Sequence, residues 1–329
     1  MFRKLIVIVL AIVTCIGMTS LCSAANKRIY LIPKANSAGY WQTVIDGAQH
    51  AAKKYGVDLI VQGATSEIDV TRQISIVENA LVTHPAAIIL APTSTDSLVP
   101  VIEKASREKV PVIIIDSKAN TKNYKSFMAS DNVKIGELAA DQLAQAIKEK
   151  TGKIQGDVAG ITFLSGASSL EQRKKGFLNR IKEKYPKLKV VDFRDALAKS
   201  TNAIDITQNY LTKYPELKGI FCNNNYTTDG AARTLYAAHK KNIALIGVDS
   251  DQQEIWGLKN GYIKSIIVQK PWIMGYMGVE YAIKAINGKK IPKYVNTGVV
   301  AITKKMIISG KAEQFLNPVK YYKTHKIAI

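Results

Sequence analysis

Short apolar runs alternate with longer amphipathic stretches through most of the chain. The runs are IYLI, VDLIV, AAIIL, VPVIII, VAGITFL, KVVDF, KGIFC, IALIGV and IKSIIV. Between the first two, apolar residues recur at the three- and four-residue spacing of an amphipathic helix, and the same spacing follows the second run. These residues are Trp41, Val44, Ile45, Ala48, Ala52 and Tyr55, then Val70, Ile74, Val77 and Leu81. The pattern predicts strands and helices in alternation.

The apolar runs lack the polar alternation of a half-exposed strand, so both faces of each strand are expected to be buried. Such strands form parallel sheets covered by helices on both sides. The alternating strand–helix units are too many for one domain. The pattern therefore predicts an α/β fold with two Rossmann-like lobes. The alternation breaks at FMASDN (127–132), where a short strand ends and a helix over Val133–Lys150 is predicted. The tail from Lys304 to Ile329 has no clear period and is interpreted as a surface strap.

The first residues have the order of a secretory signal peptide. Arg3 and Lys4 precede an apolar run from Leu5 to Met18, and small residues follow. We assign residues 1–24 to the signal and expect a periplasmic or extracytoplasmic location. A lipid anchor at Cys22 is the less favoured alternative, because Leu21 stands where a small residue is expected. A retained membrane anchor is a further alternative. Without the signal, Cys222 is the one remaining cysteine, so no intramolecular disulfide is expected.

The chain is strongly basic, with a formal net charge of +20 and a pI near 9.7. Such a charge can indicate nucleic acid or an anionic surface as partner. The lysines, however, are spread along the whole sequence and form no long basic run. The interpretation is a solvated basic surface, and no nucleic-acid partner is predicted.

Polar residues directly follow several of the apolar runs. In a parallel sheet, ligands bind beyond the carboxyl ends of the strands, which is where these residues are expected to lie. Five runs from both halves of the chain end in this way. The residues are Lys34, Asp116 with Ser117, Asn223 to Asn225, Asp249 with Ser250, and Gln269. A single such residue is commonly a helix cap, but five together favour a polar ligand site in a cleft between the lobes.

Three further residues indicate the chemistry of that ligand. Arg173 lies on the apolar stripe of its predicted helix, where it either snorkels to solvent or directs its guanidinium into the cleft. Tyr40 and Trp41 open a helix directly after a strand, and Trp41 also suits core packing. Aromatic faces stack on the C–H groups of a sugar ring, and carboxylate, amide and guanidinium groups bind its hydroxyls. The combination predicts a carbohydrate pocket.

Signals for catalysis are weak. His50, His84, His239 and His325 have no metal-ligand spacing. The sequence contains no G-x-S-x-G, Walker or G-x-G-x-x-G motif, and Cys222 has no evident base near it in sequence. We predict a binding protein that is not an enzyme, with no cofactor and no metal. Hydrolase or isomerase activity is the minor alternative.

The mature chain as a whole resembles the periplasmic ribose-type sugar-binding proteins of ABC transporters, which have the type I periplasmic-binding-protein fold. The resemblance rests on the order and spacing of several stretches. They are YWQTVIDGAQHAAKKYG, APTSTDSLVPVIEKA, VPVIIIDS, ASDNVKIGELAADQLAQ, LEQRKKGF, TQNYLTKYPELKGIFCNNN, IGVDS and IIVQKPWIMGYMGVEYA.

The resemblance implies two lobes joined by three crossings near residues 130, 269 and 297. The N-terminal lobe is then 25–130 with 270–296, and the C-terminal lobe 131–269 with 297–329, including the tail. The implied sugar-binding residues are Tyr40, Trp41, Asp116, Arg173, Asn224, Asp249 and Gln269, and Lys34 is added as a candidate from its position after the first strand. An ABC permease is the implied membrane partner, and a monomer is expected.

Several positions depart from the ribose-type pattern, so the sugar is left open. Ser117 replaces an arginine, Val248 replaces an aromatic residue, and Ala198 stands near the place of a second aromatic residue of the C-terminal lobe. Lys34 stands where a small hydroxyl residue is expected. The ligand is therefore a monosaccharide or related polyol, with a sugar acid as an alternative. For the biological role, the alternative to transport is a ligand-sensing partner of a membrane chemoreceptor or sensor kinase.

Overall fold

The computed structural model describes residues 28–36 and 39–325. The predicted signal peptide, and with it Cys22, lies outside the described residues. Within those residues, no helix combines the length and apolarity that crossing a membrane requires.

The strands and helices alternate as the apolar pattern predicts. The strands are β1 (Arg28–Ile32), β2 (Asp58–Val61), β3 (Ala87–Leu90), β4 (Val112–Ile115), β5 (Ser126–Ala129), β6 (Gly156–Thr162), β7 (Leu188–Asp195), β8 (Gly219–Cys222), β9 (Ala244–Val248), β10 (Ile263–Val268), β11 (Tyr294–Asn296) and β12 (Val300–Thr303). The helices are α1 (Gly39–Tyr55), α2 (Val70–Val82), α3 (Val99–Arg107), α4 (Asn132–Thr151), α5 (Ser168–Lys184), α6 (Ser200–Lys213), α7 (Asn225–Ala237), α8 (Gln252–Asn260), α9 (Pro271–Ile286), α10 (Lys304–Ile308), α11 (Glu313–Leu316) and α12 (Pro318–Thr324).

The first lobe is built on a parallel sheet of six strands in the order β11-β5-β4-β3-β1-β2. Helices α1 and α9 cover one face of this sheet, and α2 and α3 cover the other. The two helices of the first face cross closely at Gly47 and Gly275. A Cβ at Gly47 would overlap the Trp272 carbonyl oxygen, and one at Gly275 would overlap the Val44 carbonyl oxygen. Only glycine permits this backbone approach.

The second lobe repeats this plan with a sheet in the order β12-β10-β9-β8-β6-β7, in which only β12 runs antiparallel to its neighbour. Helices α4 and α5 cover one face, and α6, α7 and α8 cover the other. The α4–α5 crossing also requires glycine, at Gly136 and Gly176. The predicted class, two α/β lobes with largely parallel sheets, is confirmed.

The chain passes between the two sheets at 130–131, 269–270 and 297–299. Two of these connections touch each other, since Ser130 Oγ lies 3.3 Å from Thr297 Oγ1. The Thr297 N–H also donates to the Ala129 carbonyl at 3.0 Å. The lobe boundaries at single residues stay a prediction.

The C-terminal segment contacts both lobes. After β12, the side chains of Phe315 and Leu316 pack against the core of the second lobe. Helix α12 then places Val319 and Tyr322 against the core of the first lobe, with the Tyr322 ring stacked 4.5 Å from that of Trp272. This segment, which the sequence analysis interpreted as a surface strap, therefore forms a further non-covalent link between the lobes.

Candidate functional site

A cavity lies between the lobes, at the carboxyl ends of strands from both sheets. It contains roughly 580 Å³ of empty space, counting the part that opens to solvent. All eight residues predicted from the sequence line it, namely Lys34, Tyr40, Trp41, Asp116, Arg173, Asn224, Asp249 and Gln269.

Asp116 and Asp249 occupy matching positions, directly after β4 and β9, and both have a left-handed backbone, with φ of 64° and 85°. This conformation is uncommon for a residue with a side chain and is held here by hydrogen bonds. The Asp116 N–H donates to the Met128 carbonyl at 2.9 Å, and the Asp249 N–H donates to the Ile267 carbonyl at 3.0 Å. Each lobe thus contributes one buried carboxylate to the cavity.

Lys34 and Asp116 form a buried ion pair, with 2.7 Å between Nζ and Oδ2. Lys34 Nζ also donates to Ser117 Oγ at 2.6 Å. Burial opposes ionisation of Asp116, but Lys34, Arg173 and Ser117 outweigh it and hold the pKa of this carboxyl below its usual value. Asp116 is therefore a carboxylate that can accept hydrogen bonds from ligand hydroxyls.

Tyr40 and Trp41 border the same side of the cavity, with their rings edge to face and 5.0 Å between centres. Trp41 is almost completely buried, and its Nε1 donates to Glu67 Oε1 at 2.9 Å. Tyr40 Oη donates to Asp116 Oδ1 at 3.2 Å. Burial, together with the charges of Asp116 and Asp249, holds the pKa of Tyr40 well above its usual value, so the phenol keeps its proton.

Arg173 reaches the cavity from α5 and is 3% exposed, so the snorkelling alternative is not what the structure shows. Its Nε donates to Asn132 Oδ1 at 2.9 Å, and its Nη1 donates to the Asn223 carbonyl at 2.8 Å. These two bonds fix the plane of the guanidinium, whose charge acts on both Asp116 and Asp249.

Asn224 has a structural role beside its place in the cavity. It is the N-cap of α7, and its Oδ1 accepts from the N–H of Thr227 at 3.1 Å and from Thr227 Oγ1 at 2.8 Å. Because the oxygen is engaged in capping, the Nδ2 amide is the group that remains to meet a ligand.

Gln269 connects Asp249 to one of the interlobe crossings. Its Nε2 donates to Asp249 Oδ1 at 2.7 Å, and its Oε1 lies 3.5 Å from Tyr40 Oη. Burial raises the pKa of Asp249, and the opposing effects of Arg173 and Gln269 offset this only in part.

Among the other residues that line the cavity, Phe163 and Glu67 were not predicted from the sequence. Phe163 follows β6, is buried, and stacks on Tyr226 with 4.8 Å between ring centres. Phe163 belongs to the end of an apolar run in the sequence, and its position just after the strand is the signal that could have identified it. Glu67 lies in a loop without periodicity. Burial raises its pKa, against the opposing effects of Lys34 and the Trp41 hydrogen bond.

Two lobes of this topology, with a polar and aromatic cavity between them, define a type I periplasmic binding fold. The sequence profile of the periplasmic binding protein domain matches residues 29–290, and the chain belongs to this family. The resemblance to ribose-type periplasmic sugar-binding proteins of ABC transporters is therefore confirmed.

Curated relatives and solved structures agree with this assignment. The ribose import binding protein of Bacillus subtilis is 29% identical over 286 residues, covering 86% of this chain and 90% of that protein. A carbohydrate transporter solute binding protein from Agrobacterium radiobacter, in complex with D-arabinose, is 40% identical with a TM-score of 0.87, covering 90% and 100% of the two chains. A solute binding protein from Agrobacterium vitis with bound D-fucose is 34% identical with a TM-score of 0.82, covering 88% and 99%. The relatives are transport proteins and not enzymes, which confirms that prediction.

Proposed function

We propose that this protein binds a neutral monosaccharide between its two lobes and delivers it to an ABC permease. The observation that supports this most directly is the interlobe cavity. It combines two buried carboxylates, a fixed guanidinium and aromatic rings from both lobes. Relatives with bound D-arabinose and D-fucose support an aldose as the ligand.

The sugar ring is held between aromatic faces in this proposal. Trp41 and Tyr40 contact it from the first lobe and Phe163 from the second. Asp116, Asn224 and Asp249 bind hydroxyls at the rim, together with Arg173. Because the groups come from both lobes, the ligand binds fully only when the lobes are close. It therefore shifts the population toward the closed form through the crossings near 130, 269 and 297.

The charges of the cavity favour a neutral sugar over a sugar acid. Three acidic side chains, Glu67, Asp116 and Asp249, line it beside two cations, Lys34 and Arg173. Lys34 is already paired with Asp116 at 2.7 Å. A ligand carboxylate would lose its hydration in a buried site and lie close to the Asp116 carboxylate, an electrostatic cost that a hydroxyl does not have.

A thermal-shift and calorimetry panel tests the ligand class. It compares D-arabinose, D-fucose, ribose, allose and galactose with the uronic and aldonic acids that match them. We expect at least one neutral sugar to stabilise the protein by about 2.7 kcal/mol at 100 times its dissociation constant. Stronger binding of an acid, or binding of no saccharide, would contradict the proposal.

Delivery to a permease needs a separate experiment. Uptake of the labelled sugar should fall in cells that lack this protein and recover when it is restored. The sensing alternative predicts normal uptake with a lost chemotactic or kinase response to the same sugar.

A further inference from the structure

The end of the second lobe that lies opposite the cavity is rich in lysine. Strands β6 to β10 point their carboxyl ends at the cavity, so their amino ends lie at the opposite end, where the preceding helices end. Each of six segments at this end contains at least two lysines. The segments are 148–153, 184–189, 213–218, 240–241, 259–264 and, because β12 is antiparallel, 304–305. We call this set of segments the lysine pole.

Lysines from separate segments of the lysine pole lie near one another. Lys264 Nζ donates to the carbonyls of Lys241 and Gly261, at 2.9 and 2.6 Å. Burial lowers the pKa of Lys264, and the charges of Lys150 and Lys241 lower it further. These like charges are therefore close enough in space to repel each other, although they are far apart in sequence.

Few acidic residues neutralise the pole. Its six segments contain Glu149 and Glu216 as their acidic residues. Lys218 pairs with Glu216 at 3.0 Å. Among the described residues of the pole, this is the one lysine within ion-pair distance of a carboxylate.

The helix macrodipole explains only part of this arrangement. Helices α4, α5, α6 and α8 end here, and cations in their last turns are favourable. The effect falls off within the last turn, so it does not account for lysines in the connections that follow, such as Lys187, Lys240 and Lys241. Crowded like charges disfavour the compact state unless an anionic partner offsets them.

We propose that the lysine pole binds the anionic phospholipid headgroups of a membrane surface. The cations of its segments are all lysines, without arginine. Lysine is a flexible point charge suited to a diffuse negative surface, whereas specific carboxylate or phosphate recognition favours arginine. The surface lies away from the cavity, so membrane binding and sugar binding are compatible.

The tyrosines of the pole are engaged inside the protein, which disfavours nucleic acid as the partner. Tyr185 Oη donates to Asp141 Oδ1 at 2.8 Å, Tyr214 Oη lies 3.4 Å from the Val191 carbonyl oxygen, and Tyr262 is 5% exposed. They are not arranged to stack on bases, as single-stranded nucleic acid requires.

The experiment uses a pole variant and a control with the same change in net charge. The pole variant replaces Lys150, Lys187, Lys240 and Lys305, all exposed, by glutamine. The control replaces Lys109, Lys122, Lys289 and Lys290, which are exposed at the corresponding end of the first lobe, before β4, β5 and β11. Both should keep the thermal stability of the parent and its sugar-induced shift. If the pole variant fails to fold, the double variant Lys240→Gln/Lys241→Gln takes its place.

Binding is measured by co-sedimentation with vesicles of phosphatidylcholine, with and without phosphatidylglycerol. We expect the parent protein to bind only the anionic vesicles and to dissociate as salt rises. The pole variant should bind about tenfold more weakly or worse, and the control within about twofold of the parent. Equal losses in both variants would show that the lysine pole of the second lobe is not the specific binding surface and would overturn the proposal. So would failure of the parent to bind, equal binding to neutral vesicles, or tighter binding to a DNA oligonucleotide than to anionic vesicles.

Discussion

Lys34 Nζ lies 2.7 Å from Asp116 Oδ2, and both side chains are less than a tenth exposed. The lysine follows β1 and the carboxylate follows β4, so the pair joins two loops of the first lobe at the edge of the cavity. A buried ion pair compensates its own desolvation only while both partners are present. The pair therefore sets the charge of the site and also contributes to the stability of the first lobe.

Replacing Lys34 by methionine should weaken sugar binding and destabilise the protein by about 3 kcal/mol, because Asp116 is then a buried charge without its partner. Adding Asp116→Asn to this variant should restore most of the stability but not the affinity. Chemical denaturation and titration calorimetry of the two single variants and the double variant measure both effects.

Lys284→Met is the matched control, since Lys284 and Glu280 form an i,i+4 pair on α9 that is more exposed. This variant should lower the unfolding free energy by less than about 1 kcal/mol and leave the sugar affinity unchanged. Equal costs for the two lysine variants, or a double variant no more stable than Lys34→Met, would show that burial of the Lys34 pair has no special importance.

Most of the fold was predictable from the sequence, because both faces of the strands are buried. The run VPVIII predicts a strand at 110–115, and β4 covers Val112–Ile115. The helix predicted over Val133–Lys150 is α4, Asn132–Thr151. The path of the tail was not predictable, because its contacts depend on which surfaces the two lobes bring near it, as with Tyr322 on Trp272.

The positions of the site residues were predictable where strand geometry determines them. Asp116 and Asp249 were identified because the carboxyl ends of parallel strands meet at one edge. Glu67 was missed because its loop has no period and its role depends on the Trp41 side chain. The lysines were interpreted as evenly spread because they are so in sequence. That lysines from distant segments meet at one end of the second lobe follows only from the topology.

Replacing Arg173 by alanine should reduce sugar affinity about 100-fold or more, since charge-assisted hydrogen bonds to the ligand are lost. It should also lower stability, because the Asn223 carbonyl and Asn132 Oδ1 lose their donor. Arg173→Lys should restore charge without the fixed planar geometry and recover only part of the affinity. Calorimetry with the identified sugar gives these values.

The matched control is Arg180→Ala, on the same helix. Arg180 binds both oxygens of Asp141 at 2.7 Å in a partly buried ion pair, and neither residue lines the cavity. It should lower stability modestly and leave the dissociation constant unchanged. If the Arg173 variants bind sugar as the parent does, Arg173 does not contact the ligand.

Phe163→Leu should weaken sugar binding about fivefold to tenfold, because the side chain keeps most of its volume but loses its aromatic face. Phe193→Leu is the comparison, as Phe193 packs among Phe177 and Phe221 in the second lobe and does not line the cavity. Titration calorimetry of both variants with the same sugar measures the two affinities. Similar affinities for the two variants would remove Phe163 from the stacking surface.

Tyr322→Ala should loosen the link that the C-terminal segment forms between the lobes. Loss of the stack on Trp272 is expected to lower the unfolding free energy by about 1–2 kcal/mol. It should also increase the radius of gyration of the sugar-free protein, and saturating sugar should reverse that increase. Tyr321→Ala, whose ring stacks on His325 of its own segment, should leave the radius of gyration unchanged. Identical small-angle scattering profiles for the two variants would show that the C-terminal segment does not restrain the lobes.

Asp229→Asn should stabilise the protein near neutral pH and flatten its pH dependence. Burial, then the charge of Asp251 and a hydrogen bond to it, raise the pKa of Asp229 to about 8, against the opposing charge of Arg233. Between pH 3.8, the ordinary pKa of this group, and about pH 8, the folded protein therefore binds more protons than the unfolded chain. Its stability falls as pH rises through this window.

Glu254 contributes to the same pH dependence, because burial also raises its pKa well above the usual value. An asparagine has no charge to desolvate, so the variant should gain several kcal/mol at the upper end of the window and little at the lower end. Denaturant unfolding at several pH values measures this, with the exposed Asp205→Asn as the control. An unchanged slope with pH would mean that Asp229 ionises normally in the folded protein.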